Sequence, residues 1–265
     1  PQVVSVTEDG TLTAHQAGTG LIRAMLNTGD YTLVAVHVAD HVEEVRGAKA
    51  ATCTEDGYSG DVYCTVCGAL VSAGEVIPAH CASKSFTDVD TNQWYHTYVD
   101  YVVDHGIMNG MGGGRFAPNG NVTRAQLVTT LYRMAGSPQV EEMSTFADVH
   151  ANRWYSAAVA WAQDVGIAVG VTETAFQPNG FTTREQAATF LYRYVTEYLK
   201  QEPTQGADLS AYQDAASISP YAEEALAWAT AEGILEGFED DTLRPRDVLS
   251  RAQLAKLMTI MDQNF

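Results

Sequence analysis

The chain has 265 residues, 46% of them hydrophobic, and sets 33 acidic against 15 basic side chains, for a formal charge of −18 at pH 7. That length suits two or three modest domains with packed cores. So acidic a chain repels nucleic acid and anionic membranes unless its cations are focused locally, and no apolar run is long enough to insert into a bilayer. The sequence starts at Pro1 with neither a Met nor a signal peptide, and so reads as a fragment or processed product.

Residues 1–40 are patterned as strands. Val3-Val4-Ser5-Val6 and Thr11-Leu12-Thr13 flank Asp9-Gly10, a hairpin signal, and two further apolar runs pass through Leu21-Ile22 and Tyr31-Thr32-Leu33-Val34. The stretch VSVTEDGTLTAHQAGTGLIRA resembles the C-terminal half of a bacterial Ig-like domain of the BIG2 type. That resemblance places the first strands of such a domain upstream and leaves an edge-exposed sheet here, open to lateral self-association.

Residues 41–84 hold all four cysteines: Cys53, then Cys64-Thr65-Val66-Cys67-Gly68, then Cys81 after His80. A C-x2-C followed by Gly is the spacing of a metal knuckle, whose tight turn aims both sulfurs at one tetrahedral centre. The reading predicts a structural zinc on Cys53, Cys64, Cys67 and His80, with Cys81 or His41 as the alternative fourth ligand. One or two disulfides are the competing arrangement, suited to a protein outside the cell. The segment resembles a short repeat found in large surface proteins of Gram-positive bacteria.

From Phe86 an internal repeat takes over. Its three copies begin at Phe86-Thr87-Asp88-Val89, Phe146-Ala147-Asp148-Val149 and Tyr212-Gln213-Asp214-Ala215. Each continues with an aromatic residue at a helix start (Trp94, Trp154, Tyr221), a Gly-Ile stop, and a glycine-bearing loop through Gly110, Gly170 or Gly237. It ends in a tetrad: Thr123-Arg124-Ala125-Gln126, Thr183-Arg184-Glu185-Gln186 or Ser250-Arg251-Ala252-Gln253. Ser/Thr-x-x-Gln before an apolar run is a capping box, so each tetrad opens a second helix. An Arg at the first helical position opposes the helix dipole, and its threefold recurrence points to a task outside the helix. A guanidinium beside helix-start amides is a seat for a carboxylate or phosphate.

These copies are identified as members of the S-layer homology (SLH) family by F-x-D-V, W-Y, G-I-x-x-G, F-x-P and the T-R-A-Q, T-R-E-Q and S-R-A-Q tetrads, over about 180 of the 265 residues. The resemblance implies a mainly α fold, a pseudo-threefold helical bundle, joined to a small N-terminal β segment and a short metal- or disulfide-stapled β module. The domains would be 1–40, 41–84 and repeats at 85–138, 145–200 and 210–265. It also implies a non-covalent anchor on the Gram-positive cell wall, extracellular, binding a secondary cell-wall polysaccharide whose terminal sugar carries a pyruvate ketal. Arg124, Arg184 and Arg251 would clamp the carboxylate in grooves between repeats, beside Thr123, Thr183 and Ser250. Asp88, Asp148 and Asp214 would accept sugar hydroxyls, or else cap the first helices. Trp94 and Trp154 would stack on a pyranose, with the core as their competing place. Gly110, Gly170 and Gly237 would supply unusual backbone angles or close ligand approach. The third copy departs most, with Ser250, Tyr221, and Asp240-Asp241 beside its groove.

No catalytic constellation is legible: the seven His are scattered, and neither G-x-S-x-G nor H-E-x-x-H occurs. The competing classes are the C-terminal part of a wall hydrolase with its catalytic domain upstream, and a self-associating S-layer lattice protein.

Overall fold

The computed structural model describes residues 2–40 and 42–265, and the chain divides into two compact units, Pro1–Cys81 and Ala82–Phe265. In the first unit β1 (Val4–Val6) pairs antiparallel with β2 (Leu12–Ala14) across a turn in which Gly10 has φ 87°. β3 (Gly18–Met25) and β4 (Tyr31–Val38) form a longer hairpin, with Gly18 opposite Val38 and Met25 opposite Tyr31. β1 lies on β3 because the latter lacks side chains at the contact: a Cβ on Gly20 would stand 2.4 Å from Val4 Cγ1. Elsewhere the hairpin is uncovered, and Leu21, Met25, Tyr31 and Leu33 are each more than half exposed.

The cysteine-bearing stretch adds two more small sheets. β5 (Glu43–Arg46), β7 (Asp61–Cys64) and β8 (Leu70–Ser72) run in the order β5-β7-β8, and β6 (Gly57–Tyr58) pairs with β9 (Val76–Ile77). The C-x2-C turn forms between β7 and β8, with the amides of Val66 and Cys67 donating to Cys64 Sγ at 3.4 and 3.5 Å. The predicted four-ligand zinc set does not fit, however. Cys53 is joined to Cys81 in a disulfide across 28 residues, and sulfurs consumed in that bond are no longer thiolate donors. The disulfide arrangement accounts for one pair, and Cys64 and Cys67 stay outside it as thiols. His41 lies outside the described residues.

In the second unit each repeat contributes two helices. They are α1 (His96–Asp104) and α2 (Arg124–Met134), α3 (Ser156–Asp164) and α4 (Arg184–Arg193), and α5 (Glu223–Ala231) and α6 (Arg251–Asn264). All three capping boxes close: Thr123, Thr183 and Ser250 accept from the backbone N–H of Gln126, Gln186 and Gln253, whose side chains reach back to the cap N–H. The first helices stop where Gly106, Gly166 and Gly233 take positive φ. No helix of the described residues is long and apolar enough to cross a membrane.

The expectation of a mainly α bundle does not hold. Helix accounts for 29% of the chain and strand for 18%, the strands falling in several small sheets. The first helix of each repeat is only nine residues long, and a structured loop longer than that helix separates it from the second.

What closes the second unit is mutual completion of the repeats. The second helix of each copy packs on the first helix of another: α2 on α3, α4 on α5, and α6 on α1. Aromatic pairs sit in two of these seams, Tyr132 with Trp161 and Tyr192 with Trp228, each 5.6 Å between ring centres. In the third, the Tyr101 hydroxyl donates to Asp262 at 2.8 Å. The backbone repeats the cycle at its centre. Val122 N–H donates to Leu249 O, Leu249 N–H to Thr182 O, and Thr182 N–H to Val122 O, each at 2.9 Å.

All three residues of that ring are fully buried. Two are aliphatic; the Thr182 hydroxyl has no hydrogen-bond partner. A buried unpaired hydroxyl costs stability. Thr182→Val keeps the shape and removes the unpaired group, and is expected to stabilise the protein by about 1 kcal/mol, raising Tm by about 2–4 °C. An unchanged or lower Tm in thermal unfolding would show that the hydroxyl is not a liability.

Candidate functional site

Each tetrad Arg leaves its own repeat. Arg124 Nε donates to Phe176 O at 2.7 Å, Arg184 Nε to Leu243 O at 2.9 Å, and Arg251 Nε to Phe116 O at 2.7 Å. Arg184 and Arg251 each give a second bond from a terminal nitrogen, to Glu236 O and Asn109 O respectively, both at 2.7 Å. Each guanidinium also lies over an aromatic ring of the receiving repeat, Phe176 at 4.7 Å, Phe238 at 4.8 Å and Phe116 at 4.5 Å. The three Arg are only 5–6% exposed. Burial pushes their pKa down to about 10, so they remain cations at neutral pH.

The helix-start amides, by contrast, are taken. Arg124 N–H donates to Gly180 O and Ala125 N–H to Pro178 O, at 2.9 and 3.0 Å; the corresponding amides of the other two tetrads bond Asp247 and Pro245, and Gly120 and Pro118. The third amide of each tetrad goes to the capping hydroxyl. The helix tips therefore bind the neighbouring repeat, and the amides expected to help seat a carboxylate are already taken.

Three cavities open beside these side chains. One, of about 390 Å³, is walled by Arg124, Gly170, Gln186, Arg193 and Tyr221. A second, also about 390 Å³, is walled by Arg251, Gly110, Gln126, Arg133 and Trp154. The third, about 180 Å³, is walled by Arg184, Gly237, Phe238, Gln253, Lys256 and Trp94. Every cavity draws on all three repeats: the Arg from one, the glycine loop and tetrad Gln from the next, the aromatic ring from the last. The rings of Trp94, Trp154 and Tyr221 are 54–62% exposed, so they belong to the groove walls and not to the core.

The other candidates hold the loops. Asp88 accepts from the amides of Phe116 and Ala117, both at 2.8 Å. Asp148 holds Phe176 and Gln177, and Asp214 holds Leu243 and Arg244, in the same two-oxygen grip. The second residue of each pair, Ala117, Gln177 and Arg244, has φ between 50° and 58°, a left-handed conformation that a non-glycine residue adopts only under restraint. Burial works to raise the pKa of Asp88, but the two amides prevail and hold it below the ordinary carboxylate value. These carboxylates neither cap the first helices nor line the cavities. Thr123, Thr183 and Ser250 are likewise committed to their capping boxes.

Positive φ occurs at Gly170 alone among the three loop glycines. Their shared constraint is contact with the aromatic ring that opens each repeat: a Cβ would stand 2.5 Å from Phe86 at Gly110, 2.7 Å from Phe146 at Gly170 and 2.5 Å from Tyr212 at Gly237. Near the third cavity, Asp240 is engaged by Arg244 at 2.8 Å, which offsets the repulsion expected from that acid.

Arg133 and Arg193 were not among the sequence candidates. The signal was present, as Leu-Tyr-Arg recurring 60 residues apart at 131–133 and 191–193. An apolar helix pattern conceals a cation at its polar margin.

Comparison with known proteins matches the S-layer homology domain to residues 85–128, 145–188 and 211–255, together half of the chain. Among curated relatives, an endoglucanase of Bacillus sp. (strain KSM-635) is 30% identical over 176 residues, 66% of this chain and 18% of the relative. An S-layer protein of Bacillus thuringiensis subsp. finitimus is 27% identical over 211 residues, 79% of this chain and 25% of the relative. A surface-layer 125 kDa protein of Lysinibacillus sphaericus is 29% identical over 199 residues, 74% and 16%. The chain thus spans a quarter or less of the length of these relatives. With three matched domains interlocked through their tetrads, the chain belongs to the S-layer homology domain family and is a protein of the cell surface, associated with the cell wall.

Proposed function

We propose that the three domains anchor the protein non-covalently by binding an acidic secondary cell-wall polysaccharide, with a pyruvate-ketal or similar carboxylate, in the grooves between repeats. One observation carries this reading. In a chain of charge −18, none of Arg124, Arg133, Arg184, Arg193 and Arg251 forms an ion pair among the described residues. Cations left without acid partners amid such an excess of acid, at the floor of grooves walled by exposed aromatic rings, suit an anionic sugar. The aromatic rings supply a flat apolar wall for a pyranose, and the short range of screened charge makes such contacts necessary alongside it.

The test is sedimentation of the intact protein with purified cell walls, before and after chemical removal of the bound polysaccharide. Binding should vanish with the polysaccharide; retention on stripped walls would overturn the reading. Trp154→Ala removes an exposed ring, so it should weaken binding about tenfold with Tm little changed. A second reading, self-association in a surface lattice, is favoured by the uncovered β3–β4 hairpin, and would appear as concentration-dependent oligomers lost on Leu21→Lys. An enzymatic domain elsewhere in a longer protein is compatible with either.

A further inference from the structure

The three grooves are not chemically equal. The Arg124 groove contains Arg193 and the Arg251 groove contains Arg133, each nine residues after a tetrad Arg. In the third repeat that place belongs to Ile260. The Arg184 groove offers Lys256 instead, and its ammonium is already paired with Glu236 at 2.6 Å. Phe238 stands where the other loops have Met111 and Val171, and its ring carries the guanidinium groups of both Arg184 and Arg244, at 4.8 and 4.0 Å. The bulkier side chain accompanies a cavity less than half as large, about 180 Å³ against about 390 Å³.

Within the two larger grooves the paired guanidinium groups repel. Arg193 lowers the pKa of Arg124, and Arg133 that of Arg251, both behind the larger effect of burial. Longer-range acids act against it, Asp148 on Arg124, Asp88 on Arg251 and Glu197 on Arg193, but none of the four forms a direct ion pair with a carboxylate among the described residues. The Arg124 groove goes further. Its Arg has one side-chain bond, to Phe176 O, where Arg184 and Arg251 have two. The carbonyl corresponding to Asn109 O and Glu236 O belongs to Val169, and Gly170 just after it is the loop glycine with positive φ. Arg124 therefore keeps terminal N–H groups for a ligand.

We propose that the Arg124 and Arg251 grooves are built for a saccharide bearing two anionic groups, one on the tetrad Arg and the other on Arg193 or Arg133, and that the Arg184 groove takes at most one. The inference rests on the acidic-saccharide reading above and adds the charge and number of the tight sites. A dianion would neutralise both guanidinium groups at once, whereas a monoanion leaves one facing the other across a partly desolvated cleft.

The experiment titrates the intact protein calorimetrically with two probes on one sugar: glucuronic acid, carrying one anionic group, and glucuronic acid 1-phosphate, carrying two. Two sites should bind the dianion at least about tenfold more tightly than the monoanion, one decade being worth 1.4 kcal/mol. Arg193→Gln should reduce the tight sites from two to one. The Arg133→Gln/Arg193→Gln protein should bind both probes within about twofold of each other. The corresponding Lys double variant, which keeps the charges, should retain most of the preference and so separates lost charge from lost fold. Equal affinity of the wild type for the two probes, a preference that survives the Gln double variant, or three equally tight sites would each overturn the proposal. If the wild type shows no preference yet still sediments with walls and is released when the polysaccharide is stripped, this inference falls and the anchor reading stands. If it fails to bind walls at all, the anchor reading falls.

Discussion

Arg251→Ala is expected to destabilise the helical unit by about 2–4 kcal/mol, measured as a lower midpoint in urea with the m-value retained. The magnitude comes from what the side chain joins. Its two donors reach Phe116 O and Asn109 O, residues 135 and 142 positions away, in another repeat. Hydrogen bonds to a charged group contribute about 1.5–3 kcal/mol each, and the ring of Phe116 at 4.5 Å adds a cation–π contact. Against this stands the cost of burying the charge, which truncation relieves. Arg251→Met distinguishes the terms: it restores most of the volume and removes the buried charge, but leaves both carbonyls without a donor. It should be nearly as damaging as Ala. Arg124→Ala loses a single side-chain bond and should cost about half as much. Wild-type stability in Arg251→Ala would contradict the interlock.

The contrast shows which features the sequence made legible. Thr123 and Gln126 lie three residues apart, and so do the partners in the other two tetrads; the capping boxes are local and were readable as such. The Asp9-Gly10 hairpin and the stops at Gly106, Gly166 and Gly233 follow from backbone preferences of single residues, and formed where their patterns predicted. Features that depend on a distant segment were not readable. Asp88 sits just ahead of a helix and looks like its cap, yet its carboxylate grips amides 28 and 29 residues further on. The tetrad amides look like open anion donors, but carbonyls of another repeat fill them. The mainly α expectation erred because helix starts are conspicuous, whereas a left-handed residue such as Gln177 inside a long loop has no local signature. At the cysteines, spacing alone left zinc and disulfide both open; the distance between Cys53 and Cys81 in the fold, 4.4 Å between Cα atoms, decides for the bond. Arg193 is the instructive omission. It differs from its own repeat's tetrad Arg in having no carbonyl to bind, and only the assembled groove reveals that.

Removing the third repeat, by ending the chain after Lys200, should abolish cooperative folding of the two repeats that remain. Circular dichroism should show much reduced helix, and thermal unfolding should lose its sharp transition. The deletion does not merely shorten a series of independent modules. α1 loses α6, the helix that covers it, and α4 loses α5. Phe116 O, Asn109 O, Gly120 O and Pro118 O lose the donors supplied by Arg251 and Ala252. The central ring is cut at Leu249, stranding the Val122 N–H and the Thr182 carbonyl. These hydrogen bonds, worth about 1 kcal/mol each, together with the apolar faces of α1 and α4 left uncovered, amount to a large share of the 5–15 kcal/mol by which a domain is ordinarily stable. A linear array in which each repeat contacts only its neighbours would instead lose stability in proportion to its length and keep folding. A truncated protein that melts cooperatively within a few degrees of the intact one would mean that the contacts from the third repeat back to the first are dispensable, and that the tetrad arginines serve the grooves alone.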